Sequence, residues 1–535
     1  MSLFPPAARL SLRRAAAAIL LGACLTASLA TARPPNILVI HTDDHRYSGI
    51  HALGGQPVHT PHLDRLVHDG FTFHRAYLMG SFSGATCIPS RNALLTGRHL
   101  FGMIQPGHRI PSDHITLGEA FRAAGYHAHI VGKWHQDTTS LARSFDSGAT
   151  IMGLGAYLTD HYRMPLWDWD PTGRFPRDAA YLLEYDQAGN IRRRPLSADD
   201  PRGPIGTEAT GPHSSEIFAD SAIDFLRHPP DGKPWLMYLA FHAPHDPRQA
   251  PRRYREMYPD DQIPLPPSYL PQHPFDNGHI VLRDEQLAPW PRTPEIARQH
   301  LADYYAIITH LDAQIGRVIE TLKTTGQWEN TLVVVAGDSG LAVGNHGLLG
   351  KQNIYDEDGV HIPLIFTGGA LGSRRGSSEA FCYNHDIFPT LCELAGIPIP
   401  ASVQGLSLAG IIRGEQKAVR NHTYHAYLHY QRAYRSGDYK LIEYVRAPGD
   451  DRAVYGDAVR GSRVTQLFNF RKDPWETHDL SAFPEYAATI AAMRSEMRAT
   501  AANLGDTGDR LNNYSFDFWD YVECPARPDT PQPSQ

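Results

Sequence analysis

Four short runs rich in Val, Ile and Leu, each ending in polar residues, constrain this chain more than any other feature. Asn36–Ile40 leads into His41-Thr42-Asp43-Asp44, and His127–Val131 into Gly132-Lys133-Trp134-His135. Trp235–Phe241 leads into His242-Ala243-Pro244-His245, and Leu332–Gly337 into Asp338-Ser339-Gly340. Near-continuous apolar strands alternating with helix-period segments read as an α/β fold with a mostly parallel sheet covered on both faces. Open sheets of this kind hold ligands at the carboxyl ends of their strands, so the four polar tips are expected to converge.

The intervening helices are legible. Thr293 as cap and Pro294 at the first position open a helix whose apolar face runs from Leu301 to Leu322 before Gly326, and its His and Tyr residues read as structural. A second helix follows around Ile387–Gly396. With 535 residues the chain exceeds one simple core, and we place a large domain at 33–400 and a smaller one at 401–525. Strand-like runs at Tyr439–Tyr444 and Gln466–Phe470 before a helix at about 482–503 predict an antiparallel sheet with a packed helix in this α+β subdomain. Residues 526–535, rich in Pro, Ser and Gln, read as a disordered tail. Two long connections, 136–212 and 246–291, interrupt the alternation.

Residues 1–32 read as a signal peptide: Arg9, Arg13 and Arg14 precede the apolar stretch Ala15–Leu29 and the small residues Ala30 and Ala32. The expected destination is the periplasm or the outside of the cell. Leu21-Gly22-Ala23-Cys24 also resembles a lipoprotein processing site, which leaves a lipid anchor open. Five cysteines, at 24, 87, 382, 392 and 524, show neither CxxC spacing nor a zinc pattern. A net charge of -7 without a long basic run argues against nucleic acid as a partner.

Asp43, Asp44 and Asp338 are three hard oxygen ligands expected at one sheet edge, which favours Ca²⁺, or Mg²⁺, over zinc. Cys87 opens the run Cys87-Ile88-Pro89-Ser90-Arg91, where Pro89 and Ser90 suit the start of a helix and Gly97 its end. Residue 87 should therefore stand at a helix N-terminus, which favours anions, with Arg91 one turn on as a fixed cation.

The residues Cys87-x-Pro89-Ser90-Arg91-x-x-Leu94-Leu95-Thr96-Gly97 resemble the signature of type I sulfatases, members of the alkaline phosphatase superfamily. That resemblance implies an alkaline-phosphatase-like fold, a bound divalent cation and hydrolysis of sulfate esters. It also implies oxidation of Cys87 to Cα-formylglycine by a formylglycine-generating enzyme. The resemblance places Cys87 and Ser339 with the three aspartates around the metal, although the family usually has Asn or His at the position of Ser339. A water, Asn345 or His346 is therefore expected to take the place of that weaker ligand. It further implies that Lys133 and Lys351 bind sulfate, that His135 contacts formylglycine and that His245 protonates the leaving alcohol. His242 is the rival for that last role, and spacing leaves both open.

The first long connection holds Tyr157, Asp160, His161, Tyr162, Trp167, Asp168, Trp169 and Asp170, a set suited to sugar rings and their hydroxyls. The expected substrate is a sulfated carbohydrate, with a small sulfate ester such as choline sulfate behind it. The competing readings are a phosphonate or phosphate ester hydrolase of the same superfamily and a non-catalytic sulfoglycan-binding protein. Oligomeric state does not follow from these residues.

Overall fold

The computed structural model describes residues 33–155, 160–197, 199–200, 210–446, 462–507 and 518–519. Among these described residues fifteen strands appear in chain order: β1 (Asn36–Thr42), β2 (Phe71–Tyr77), β3 (Gly80–Ser81), β4 (His127–Lys133), β5 (Ser147–Met152), β6 (Tyr181–Tyr185), β7 (Ile191–Pro195) and β8 (Trp235–Ala240). They continue with β9 (Thr331–Gly337), β10 (Leu364–Thr367), β11 (Gly376–Tyr383), β12 (His422–Tyr427), β13 (Gln431–Ser436), β14 (Tyr439–Arg446) and β15 (Ser462–Asn469).

Eight strands form the main sheet in the order β11-β2-β10-β9-β1-β8-β4-β5. The four runs singled out above are adjacent at its centre and mutually parallel, and β10 runs against both its neighbours. Every residue of β1, β8 and β9 is buried, which explains why these strands lack the alternation of a half-exposed sheet. The helices α1 (Cys87–Thr96), α2 (Ser214–Arg227) and α3 (Pro294–Thr324) flank this sheet. In α3 the Thr293 hydroxyl accepts from the Ile296 N–H and Pro294 opens the first turn, as its sequence predicts. Among the described residues no helix is long and apolar enough to cross a membrane.

Part of the first long connection is sheet, not loop. Ser147–Met152 adds an edge strand parallel to β4, and β6 and β7 make a separate hairpin. The run Ser-Gly-Ala-Thr-Ile-Met is too short and too polar to stand out as a strand, and its pairing with β4 creates it.

The second sheet has the order β15-β14-β13-β12-β3, antiparallel apart from β3. The helix α4 (Ala487–Leu504) packs on it, and a 3₁₀ turn occupies Pro484–Tyr486, where the sequence suggested that the helix had already begun. Tyr77, Met79 and Phe82 share a core with Tyr424, Leu441 and Met497, so the segment leading to Cys87 is built into this second layer. Behind it, Lys440 bridges Asp356 (2.7 Å) and Glu476 (2.8 Å), and Arg435 pairs with the other oxygen of Asp356.

Gly80 is the seam. Its φ of +124° suits glycine, and a Cβ there would lie 1.9 Å from the Ala426 carbonyl oxygen. Gly80→Ala is expected to cost about 2–4 kcal/mol in a denaturant titration by forcing β3 from β12. An unchanged midpoint would show that the seam yields freely.

Candidate active site

Cys87 is the first residue of α1, and Gly97 closes that helix in the left-handed conformation, so the nucleophile candidate sits at the positive end of the helix dipole. Its Sγ lies 3.3 Å from His135 Nδ1 and 3.8 Å from Lys133 Nζ. Burial pushes the thiol up to about 11 despite the two nearby lysines. The unmodified side chain is thus a poor thiolate nucleophile at neutral pH.

Three strand tips supply the charge. Asp43 and Asp44 follow β1, and Asp338 follows β9, where the Asp338 N–H donates to the Thr42 carbonyl (3.0 Å). Lys133 Nζ pairs with Asp43 Oδ2, and Lys351 Nζ reaches both oxygens of Asp44 at 2.5 and 2.6 Å. Arg91 Nη2 stands 3.4 Å from Asp43 Oδ2 and 3.3 Å from Asp338 Oδ2, while its Nη1 donates to the Lys133 carbonyl (3.1 Å) and to the Tyr238 hydroxyl (3.3 Å). Ser339 Oγ donates to Asp44 Oδ1 at 3.1 Å.

Burial raises Asp43, yet Lys133 and Arg91 outweigh it and hold that carboxyl well below the carboxylate range. Asp44, where burial outweighs Lys351, is pushed up to about 6, and burial and Asp43 drive Asp338 well up. Asp43 Oδ1 and Asp338 Oδ2 are buried and accept no hydrogen bond. Ligand atoms of Asp43, Cys87 and Asp338, and of Asp43, Asp44 and His245, lie within 4.8 Å of one another. Crowded, under-satisfied carboxylate oxygens with no thiolate partner in a zinc pattern fit a hard dication.

The sheet edge therefore brings together Asp43, Asp44, Cys87, Arg91, Lys133, His135, His245, Asp338, Ser339 and Lys351. His242 and His245 both belong to it: His242 Nδ1 faces Asp43 (3.2 Å) and is fully buried, whereas His245 lines the open cavity above Cys87. His245 Nδ1 faces the Asp246 carbonyl (2.7 Å), and its Nε2 is 3.8 Å from Asp44.

Two expectations are corrected. Asn345 is engaged with Arg46 and Ser268, and His346 with Asp358 and the Glu476 carbonyl, so neither takes the place of Ser339. The aromatic connection does not line the cavity with its described residues. Trp167 is buried with Nε1 on the Pro176 carbonyl, Tyr162 is buried, Asp168 pairs with Arg193 at the surface, and Tyr157 lies outside the described residues. The wall comes instead from the second connection, through His279, Leu282, Arg283 and Asp284, with Gln352.

Tyr304, on the face of α3 read as structural, has a part in the site. Its hydroxyl donates to the Asp44 carbonyl (2.7 Å) and accepts from the Arg46 N–H (3.2 Å), pinning Asp44 at φ +60°. Only its contact across 260 residues marks it, which no local pattern carries.

A sheet edge that gathers three carboxylates, two lysines, an arginine and a helix N-terminus is suited to an anionic ester, and its carboxylates could hold a metal ion. The family model described as Sulfatase matches residues 35–397, and the chain belongs to the sulfatase family. A second model, N-sulphoglucosamine sulphohydrolase, C-terminal, matches residues 344–503. An N-acetylglucosamine-6-O-sulfatase of Bacteroides thetaiotaomicron is 24% identical, the alignment covering 88% of this chain and 87% of the relative. The multifunctional alkaline phosphatase superfamily protein PehA of Trinickia caryophylli is 28% identical over 85% of this chain and 93% of its own. A solved structure in complex with its substrate D-glucosamine-2-N,6-O-disulfate superposes with a TM-score of 0.67 at 21% identity, covering 89% of this chain and 99% of the other.

Tyr304→Phe is expected to cost about 1–3 kcal/mol in a urea titration and to lower hydrolysis of 4-nitrophenyl sulfate about 10- to 100-fold, because two buried main-chain groups lose their partner and Asp44 shifts. Wild-type values for both would show that the hydroxyl does not hold Asp44.

Proposed function

We propose that this sulfatase removes sulfate from a sulfated carbohydrate, using Cα-formylglycine formed from Cys87 and a divalent cation, Ca²⁺ or Mg²⁺. The observation that carries this reading is the meeting of Cys87 with Asp43 and Asp338 at the head of α1. Asp43, Asp44 and Asp338, with residue 87, would hold the cation, which when bound polarises a sulfuryl oxygen. The matured side chain supplies an oxygen nucleophile that a thiol held at about 11 does not.

The chain's own groups then divide the work. Lys133 and Lys351 hold the anionic ester, and Arg91 fixes the aspartates and so the orientation of the ligand set. His135, against the terminal atom of residue 87, takes a proton there. His245 lines the cavity and protonates the departing alcohol. Ser339 donates to Asp44 and keeps that carboxylate aimed inward. The relative that acts on N-acetylglucosamine 6-sulfate by its name, and the neighbour solved with a sulfated glucosamine, support a sugar as the leaving group. The basic-then-apolar segment up to Ala32 supports action outside the cytoplasm.

Mass analysis of the peptide containing residue 87 is expected to find formylglycine, and Cys87→Ala is expected to abolish turnover of sulfate esters. Unmodified thiol in an active preparation would overturn this reading, as would preference for phenylphosphonate over the corresponding aryl sulfate. His245→Ala should lower hydrolysis of sugar sulfates about 10²- to 10⁴-fold and of 4-nitrophenyl sulfate much less, because a good leaving group needs no proton. Equal losses on both substrates would remove His245 from the general-acid role.

A further inference from the structure

The cavity above Cys87 encloses about 410 Å³, toward the small end of the roughly 300–1,000 Å³ of small-molecule sites. Its floor carries Cys87, His135, His245 and Lys351, and its mouth carries the consecutive residues Arg283 and Asp284 from the second long connection. Arg283 Nη2 lies 2.6 Å from Asp284 Oδ1 and 2.9 Å from Asp246 Oδ1, so one guanidinium spans two carboxylates. Gln352 Nε2 donates to the other Asp284 oxygen (2.8 Å) and to the Gly84 carbonyl (2.9 Å), which ties the acceptor to the loop preceding Cys87. Arg283 is half-exposed, whereas the Asp246 and Asp284 side chains are 9% and 5% exposed.

This arrangement has two physical consequences. An acceptor and a donor sit side by side in fixed positions, which suits neighbouring hydroxyls of one ring better than a lone alkyl or aryl group. Arg283 is also ion-paired with both Asp246 and Asp284, so its charge is already matched at the mouth and attracts a second anionic substituent weakly.

Building on the sulfatase reading, we propose that Arg283 and Asp284 form a hydroxyl clamp that selects a single sugar ring carrying one sulfate ester and no second anionic group. Asp284 accepts from one ring hydroxyl, Arg283 donates to its neighbour, and Asp246 and Gln352 hold the pair in place. The clamp sets specificity and takes no part in bond breaking.

The test compares kcat/KM for 4-nitrophenyl sulfate, a panel of monosulfated hexoses and hexosamines, and the same sugars bearing an added N-sulfate or uronic carboxylate. Wild type is expected to favour one monosulfated sugar over its doubly charged counterpart by about 10- to 100-fold. Asp284→Asn and Arg283→Ala should each lower the sugar-to-aryl ratio of kcat/KM about 10- to 100-fold, chiefly through KM. Arg283→Ala, at a half-exposed position, keeps the test open if the buried Asp284 variant fails to fold. Preference for the doubly charged sugars, turnover of the aryl ester with no sugar ester, or ratios unmoved by both substitutions would overturn the clamp. Failure of wild type to hydrolyse any sulfate ester would instead overturn the sulfatase reading.

Discussion

Three carboxylates forced together at the end of a buried sheet are the constraint on which the rest of this structure depends. Asp43, Asp44 and Asp338 come from adjacent parallel strands, and burial, with their mutual repulsion, pushes Asp44 up to about 6 and Asp338 well above the usual carboxylate range. Arg91, Lys133 and Lys351 are the counter-charges of the chain itself, each within ion-pair distance of an aspartate. Such a cluster stabilises little by itself, since desolvation offsets much of the Coulomb attraction. Its value lies in a preorganised field at the place where a sulfate ester must react.

That field needs a backbone that turns sharply just beyond each strand. Asp44 and His135 adopt φ of +60° and +65°, conformations that cost non-glycine residues of order 1–3 kcal/mol. Gly132 makes the turn toward His135 possible: a Cβ there would lie 2.1 Å from the Ala240 carbonyl oxygen of the neighbouring strand. The surrounding structure over-determines Asp44, with Tyr304 on its carbonyl, Asp338 on its N–H at 2.8 Å and Lys351 on its carboxylate.

The second sheet buttresses the segment that carries Cys87. Met79 and Phe82, just before α1, belong to its core, and β3 joins its edge through Gly80. The buried Lys440, Arg435 and Glu476 gather around Asp356, in the segment between Lys351 and β10, so the loop bearing Lys351 is anchored to the same layer. The segments bearing Cys87 and Lys351 thereby lean on the same sheet.

Much of this was legible in the chain. The central strands, their polar tips, the start of α1 at Cys87 and the capped start of α3 all rest on local periodicity, caps and spacing, which neighbouring residues encode directly. Tertiary contact decided the remainder. β5 exists because β4 offers a partner. The tryptophans of the aromatic connection, whose composition suited sugars, turn inward to fill core. Tyr304, Arg283 and Asp284 acquire their places through partners tens to hundreds of residues away. Order along the chain records which strands bear charge at their ends, but only packing determines which distant side chains face that charge and which close the wall above it.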